Sequence, residues 1–237
     1  MVGWAICAVL LAVSFPLHLL FEIPAGLAGE PTDWPAISWR VIMLLTATVV
    51  GALLLPRPGP HHRRPTFTRL PPWPQRAAYA GFLVPLLGWT VPHLVWFLGY
   101  PIGLSEASVA EAGELPATIQ LAVTLAPTVG GLATLGLARR WGQVFPAWLP
   151  VIGRRRVPPL MAVVPAAVAS YCLILYGGLG LGIIVSGLTT GAVTLEYLVE
   201  SWLAALIEIV FVIWGIAVAV AMVGYAKVTR SGVKVDA

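Results

Sequence analysis

Five polar side chains interrupt stretches that are otherwise apolar: His18, Arg40, His93, Gln120 and Glu208. A histidine and a carboxylic acid are common partners in proton transfer, and an arginine beside them suits the rim of a site for a charged ligand. Inside a membrane such residues are costly, turn toward the bundle interior or a wet cavity, and mark functional sites. Glu208 is the sharpest case, because a carboxyl group in hydrocarbon takes up a proton or finds a cation. His18, His93 and Arg40 are the cations on offer. In a catalytic reading Glu208 is a general acid and His93 a base or charge stabiliser. In a binding reading His18, Arg40, His93, Gln120 and Glu208 line one ligand pocket. A structural reading competes with both: His18 and Arg40 snorkel to water, His93 bonds across helices, and Glu208 is a protonated interhelical donor. Tyr171 and Tyr176 fit any of the three.

The surroundings of these residues are set by composition. The chain has 237 residues, of which 59% are hydrophobic and 10% charged. Soluble domains carry roughly 25% charged residues, so a deficit spread along the whole chain places the protein in the membrane class. Its mean hydropathy of +0.89 agrees. The net charge of +4 resides in short loops between apolar runs, with no contiguous basic face and no nucleic-acid motif. Cys7 and Cys172 each lie inside an apolar run, and neither a zinc motif nor a disulfide framework is present. The residues imply no metal and no cofactor. The first 21 residues lack the basic start of a cleaved signal peptide, so a retained first helix is expected.

A spanning helix needs about 20 apolar residues. Six runs qualify: Met1–Phe21, Trp39–Leu55, Ala77–Gly99, Ala117–Ala138, Leu160–Gly180 and Leu203–Tyr225. Their connections alternate in charge. Glu22, Glu30 and Asp33 follow the first run; Arg57, Arg63, Arg64, Arg69 and Arg76 follow the second. Glu106, Glu111 and Glu114 come next, then Arg139, Arg140, Arg154, Arg155 and Arg156, then Glu196 and Glu200. Lys227, Arg230 and Lys234 close the chain, and of the 14 basic residues Arg40 alone falls on the acidic side. Short cytoplasmic loops retain Lys and Arg. The expected fold is therefore all-α: one integral membrane domain, a polytopic transmembrane helical bundle of six spans in three in-out-in hairpins. Both termini are then cytoplasmic, in a multi-pass protein of the plasma membrane. Residues 57–76 form a Pro/Arg-rich cytoplasmic linker, the seven prolines of 56–76 opposing helix, and 226–237 a cytoplasmic tail.

Two further features bear on this count. Residues 157–195 carry no charge, which as one helix would measure ~58 Å against a ~30 Å hydrocarbon core. Glycines at 177, 178, 180, 182, 187 and 191 favour a break there, with the remainder lying at or dipping into the outer surface. Tryptophans mark the interfaces: Trp34, Trp39 and Trp202 outside, Trp4, Trp73, Trp141 and Trp148 inside, while Trp89, Trp96 and Trp214 lie deeper and join helix to helix. On this map all five polar side chains sit within ~10 Å or so of the outer edge.

The stretch RWGQVFPAWLP (140–150), followed by RRRVPP (154–159), alternates aromatic and apolar residues with arginine clusters. It suits short turns lying in the interface, and 139–159 is also a possible dock for a cytoplasmic protein. This stretch resembles a recurring feature of uncharacterised multi-spanning membrane proteins of actinobacteria, over about Gly88 to Leu181. The resemblance implies a lineage and a membrane location and carries no activity. A weak echo links PLHLLFEIPAGL (16–27) with PHLVWFLGYPIGL (92–104), as in a repeated hairpin. His61 and His62 lack a third metal ligand.

Three function classes remain open: a membrane protein with a structural or partner- and ligand-binding role, a membrane-embedded enzyme acting on a lipid or isoprenoid, and, less well supported, a small transporter. Polar groups are scarce on the inner half of the spans, which opposes an ion relay. No lysine lies within a span, which opposes a retinal protein, and nucleotide-binding and hydrolase motifs are absent. Lipid is the one partner the composition requires.

Overall fold

A computed structural model describes residues 32–54, 67–105, 116–148, 153–154 and 156–231, with nine isolated positions between 3 and 26. Most of the expected first span, with His18, lies outside the described residues, as do 57–66, 106–115 and 232–237. The described chain is helical, its one strand-like feature being an isolated bridge between Val144 and Arg156. The helices are α1 (Trp34–Leu54), α2 (Pro72–Phe97, with a π-helical turn at Leu86–Thr90), α3 (Ala117–Ala138), α4 (Pro159–Thr190), α5 (Leu195–Glu200) and α6 (Trp202–Ser231). Among the described residues four helices are long and apolar enough to cross a membrane: α2, α3, α4 and α6.

Their outward faces are consistent with lipid as the solvent. On α6 the side chains of Trp202, Leu206, Ile209, Ile213, Ile216 and Val223 are exposed at helical spacing, and Leu121, Leu125, Val129 and Leu132 repeat the pattern on α3. A water-soluble bundle turns such stripes inward; here they face outward, as in helices that meet lipid.

The interior has two layers. Leu70, Ala78, Leu137, Ala138, Ala221 and Tyr225 form one. They come from the start of α2 and the turn before it, the end of α3 and the end of α6, so α2 runs opposite to α3 and α6. The basic residues gather at this end: Arg139 lies over the Tyr79 ring and Lys227 over Trp73. The second layer, toward the other end, is Trp89, Leu173, Ile207, Phe211, Trp214 and Val218. The tryptophans expected at depth, Trp89 and Trp214, are both here, with Trp96 against them.

Two expectations about helix limits change. Helix α2 begins at Pro72, inside the expected linker, because Pro72 and Pro74 fall in its first turn, where a missing N–H costs nothing. Helix α6 runs on to Ser231, into the expected tail. A third concerns the glycine-rich stretch. No break occurs near Gly180; α4 continues to Thr190 and ends at Gly191, whose φ of 77° closes it. In lipid a broken helix leaves backbone groups without water, which outweighs the ~1 kcal/mol each glycine costs a helix. At ~1.5 Å per residue α4 is ~48 Å long, beyond the ~30 Å core, so it tilts or projects. The short helix α5 then turns the chain into α6, its first turn capped by the Thr194 hydroxyl, which accepts from the Tyr197 N–H at 3.1 Å.

The arginine-flanked stretch between α3 and α4 folds as short turns, beginning with a 3-10 turn at Arg140–Gly142. Gln143 is buried and clamps the backbone of Thr68: its Oε1 accepts from the Thr68 N–H at 2.9 Å and its Nε2 donates to the Thr68 carbonyl at 2.8 Å. The Tyr225 hydroxyl, wholly buried, donates to the Gly142 carbonyl at 2.8 Å. These bonds tie the basic end shut around its own loops.

Candidate functional site

The seam between α4 and α6 carries the least ordinary polar group among the described residues. Glycines let the two helices approach closely. At Gly177 an added Cβ would stand 2.5 Å from the Glu208 carbonyl oxygen, and at Gly215 it would meet Ile174 and the Ser170 carbonyl. The Ser170 hydroxyl donates to the Gly215 carbonyl at 2.8 Å, closing the lower seam. One turn beyond Gly177, Gly180 lies directly against the Glu208 carboxyl, and a side chain there would overlap it.

Glu208 occupies the second turn of α6, at the end opposite the basic cluster. Its Oε2 is buried and has no hydrogen-bond partner. The residue as a whole is half-buried and stands between the exposed Leu206 and Ile209. It therefore lies at the border between the seam and the lipid-facing stripe. Tyr176, one turn before Gly180 on α4, is near enough to interact with its charge.

A row of rings leads away from this point. Tyr176 meets Phe211 edge-on, with centroids 5.2 Å apart and planes at 86°. Phe211 lies 5.2 Å from Trp89. Trp89 stacks on His93 at 4.0 Å and 14°, and His93 lies 4.5 Å from Trp96. The row is held by α3: the Trp89 indole donates to the Val123 carbonyl at 3.2 Å, and the Thr90 hydroxyl donates to the Thr124 carbonyl at 3.1 Å. Trp89 and Thr90 belong to the π-helical turn that precedes Pro92. A proline cannot donate to the turn before it and crowds the carbonyl four residues back; the wider turn relieves that crowding and aims both side chains at α3.

Of the five polar residues of the sequence, the four that are described do not converge. His93 shares its Nδ1 with the Trp89 carbonyl at 2.9 Å, within its own helix. Its rings stand in the aromatic row, and no hydrogen bond or ion pair joins it to Glu208. Arg40 pairs with Glu22, both side chains about 30% exposed, and so is not a counter-charge for Glu208. Gln120 accepts from the Thr124 hydroxyl through its carbonyl at 2.7 Å, on α3. His18 lies outside the described residues. What the structure assembles at Glu208 is instead Gly180 against the carboxyl and Tyr176 within reach of its charge, with Phe211, Trp89 and His93 in the row of rings beyond. Tyr176 was legible as a polar residue in a span. Gly180 was not, since an apolar run gives no sign of which glycine faces a carboxyl. Among the described residues no group of three His, Cys, Asp or Glu side chains is placed to hold a metal.

No protein-family model matches this chain, no curated protein matches it, and no solved structure does. The site stands on its own geometry.

Proposed function

We propose that this chain is a six-span integral protein of the plasma membrane that binds a ligand in the outer leaflet at Glu208. Both termini and the arginine-rich turns face the cytoplasm, in three in-out-in hairpins. The charge alternation supports that orientation. The stretch 139–159 then lies at the inner surface, where Trp148, 79% exposed, meets headgroups or a cytoplasmic partner.

One observation carries the binding reading: a carboxyl oxygen of Glu208 is buried without a donor, in a half-buried side chain at the edge of the seam between α4 and α6. Buried polar atoms are almost always satisfied, and one left over in a membrane helix marks a site whose partner arrives from elsewhere. Binding is favoured over acid–base catalysis because the expected base, His93, makes no hydrogen bond to Glu208; its Nδ1–H is held by the Trp89 carbonyl and its ring packs against Trp89 and Trp96.

The test is carboxyl modification in native membranes with N,N′-dicyclohexylcarbodiimide, a reagent that dissolves in lipid. Glu208 is expected to be modified, the adduct mapping to α6 and vanishing in Glu208→Gln. If Glu208 remains untouched while the chain is correctly inserted, the carboxyl is closed to the leaflet and the binding reading fails.

A further inference from the structure

We propose that the basic end of the bundle is a binding surface for anionic phospholipid headgroups, built by the turn before α2 and the turns between α3 and α4. The inference is independent of the Glu208 reading and holds for whichever leaflet that end meets.

Charge is the first argument. Arg69, Arg76, Arg139, Arg140 and Arg154 are exposed at this end. No Asp or Glu occurs from residue 34 to 105 or from 115 to 195, so neither stretch that supplies these arginines carries a carboxylate. The acids at 106, 111 and 114 belong to the connection at the far ends of α2 and α3. Among the described residues no carboxylate pairs with any of the five; the ion pair present is Arg40 with Glu22. Lys227, over the Trp73 ring, adds a further charge at the same end. Arginines gathered without carboxylates suit a phosphate-bearing partner, because the guanidinium fork matches phosphate oxygens.

Placement is the second argument. Gln143 bonds the turn after α3 to the backbone of Thr68, next to Arg69. Arg139 lies over the Tyr79 ring, one turn along α2 from Arg76. The Arg154 N–H donates to the Phe145 carbonyl at 3.0 Å, beside the bridge between Val144 and Arg156. The charges of two distant stretches are thus fixed on one surface. Arg154 itself has a φ of 62°, in the left-handed region that favours glycine. An arginine kept there carries backbone strain that its packing does not require, which points to a use for its charge.

Depth is the third argument, and it selects a lipid over an acidic protein. Trp73, Trp141 and Trp148 are exposed among the arginines, and indoles settle at headgroup level. On α2 the exposed Trp73, Arg76, Leu83 and Leu87 follow one another at helical spacing. The charged surface therefore runs directly into the apolar stripe of the same helix, as it must where headgroups meet acyl chains. A protein partner would dock on a surface clear of that border.

The experiment uses the full chain purified in detergent and mixed with equal amounts of dioleoylphosphatidylglycerol and dioleoylphosphatidylcholine. The lipid retained after repurification is counted by mass spectrometry. The anionic lipid is expected in about tenfold excess over the zwitterionic one, and the excess should shrink in about 0.5 M NaCl, which screens exposed charges. Arg140→Gln and Arg154→Gly should each lower the excess about two- to fivefold, the effect of one charge near the surface. Glycine adopts the backbone of position 154 without strain, so Arg154→Gly removes the charge and leaves the turn intact. Arg40→Gln removes one charge from the other end and should leave the excess unchanged. Helicity equal to that of the wild type qualifies each variant. Equal retention of the two lipids overturns the proposal. So does an excess that survives both Arg140→Gln and Arg154→Gly, or one that falls as far in Arg40→Gln. Binding of a polyglutamate peptide without any lipid preference also overturns it and assigns the surface to an acidic protein.

Discussion

At the scale of single residues, Glu208 decides between a structural and a functional account. A carboxyl that holds the bundle together would have a donor, as the hydroxyl of Ser170 has its acceptor in the Gly215 carbonyl. Glu208 has none for its buried oxygen. Placing an acidic side chain at the centre of a spanning helix costs about 2.5–3.5 kcal/mol on insertion scales, and less toward the ends. Glu208→Met is therefore expected to stabilise the purified protein by about 1 kcal/mol, measured as a shift in the SDS-induced unfolding midpoint. A loss of more than about 1 kcal/mol would make the carboxyl a structural member of the seam. Arg40 and Glu22 are the contrast: their charges answer each other, which leaves neither free for the site.

At the scale of elements, α4 and α6 are matched by where their glycines fall. Gly177 faces the α6 backbone at contact distance, whereas Gly178 has open space around it. The adjacent pair gives an internal control with identical helix propensity. Gly177→Leu should force the helices apart and cost more than about 2 kcal/mol, as overpacking at a backbone contact does. Gly178→Leu should lie within about 0.5 kcal/mol of the wild type. The SDS unfolding midpoints of the two variants compare them directly; equal losses would mean that α4 is rotated from the orientation described. The glycines also explain why the sequence misled at this element. Their number reads as a helix breaker by propensity, yet at 177 and 180 they serve close approach to α6, and lipid forbids the alternative of an open backbone.

At the scale of the whole molecule, the basic and aromatic ends differ in how they are closed. The basic end is sealed by Gln143 on Thr68 and by Tyr225 on Gly142. At the other end, Glu208 leaves the seam half-exposed. Sidedness then follows from the charges. In a chain with Cys7 and Cys172 replaced, a membrane-impermeant maleimide added to intact cells should label Glu196→Cys. It should label Arg154→Cys only after permeabilisation. The reverse pattern would invert the orientation and move the Glu208 site to the inner leaflet.

The sequence alone determined the membrane class, the clustering of basic charge, the tryptophan boundaries and the apolar runs that became α2, α3, α4 and α6, because each depends on composition within one stretch of chain. It also singled out Glu208, since an acid in an apolar run is visible without a partner. Which residues surround that acid was decided by tertiary structure. Helix rotation and register depend on small residues meeting across a seam, and apolar runs look alike on every face. Thus His93 and Arg40, similar in depth to Glu208 along the chain, turned to a carbonyl of the same helix and to Glu22, while Gly180 came against the carboxyl and Tyr176 within reach of its charge.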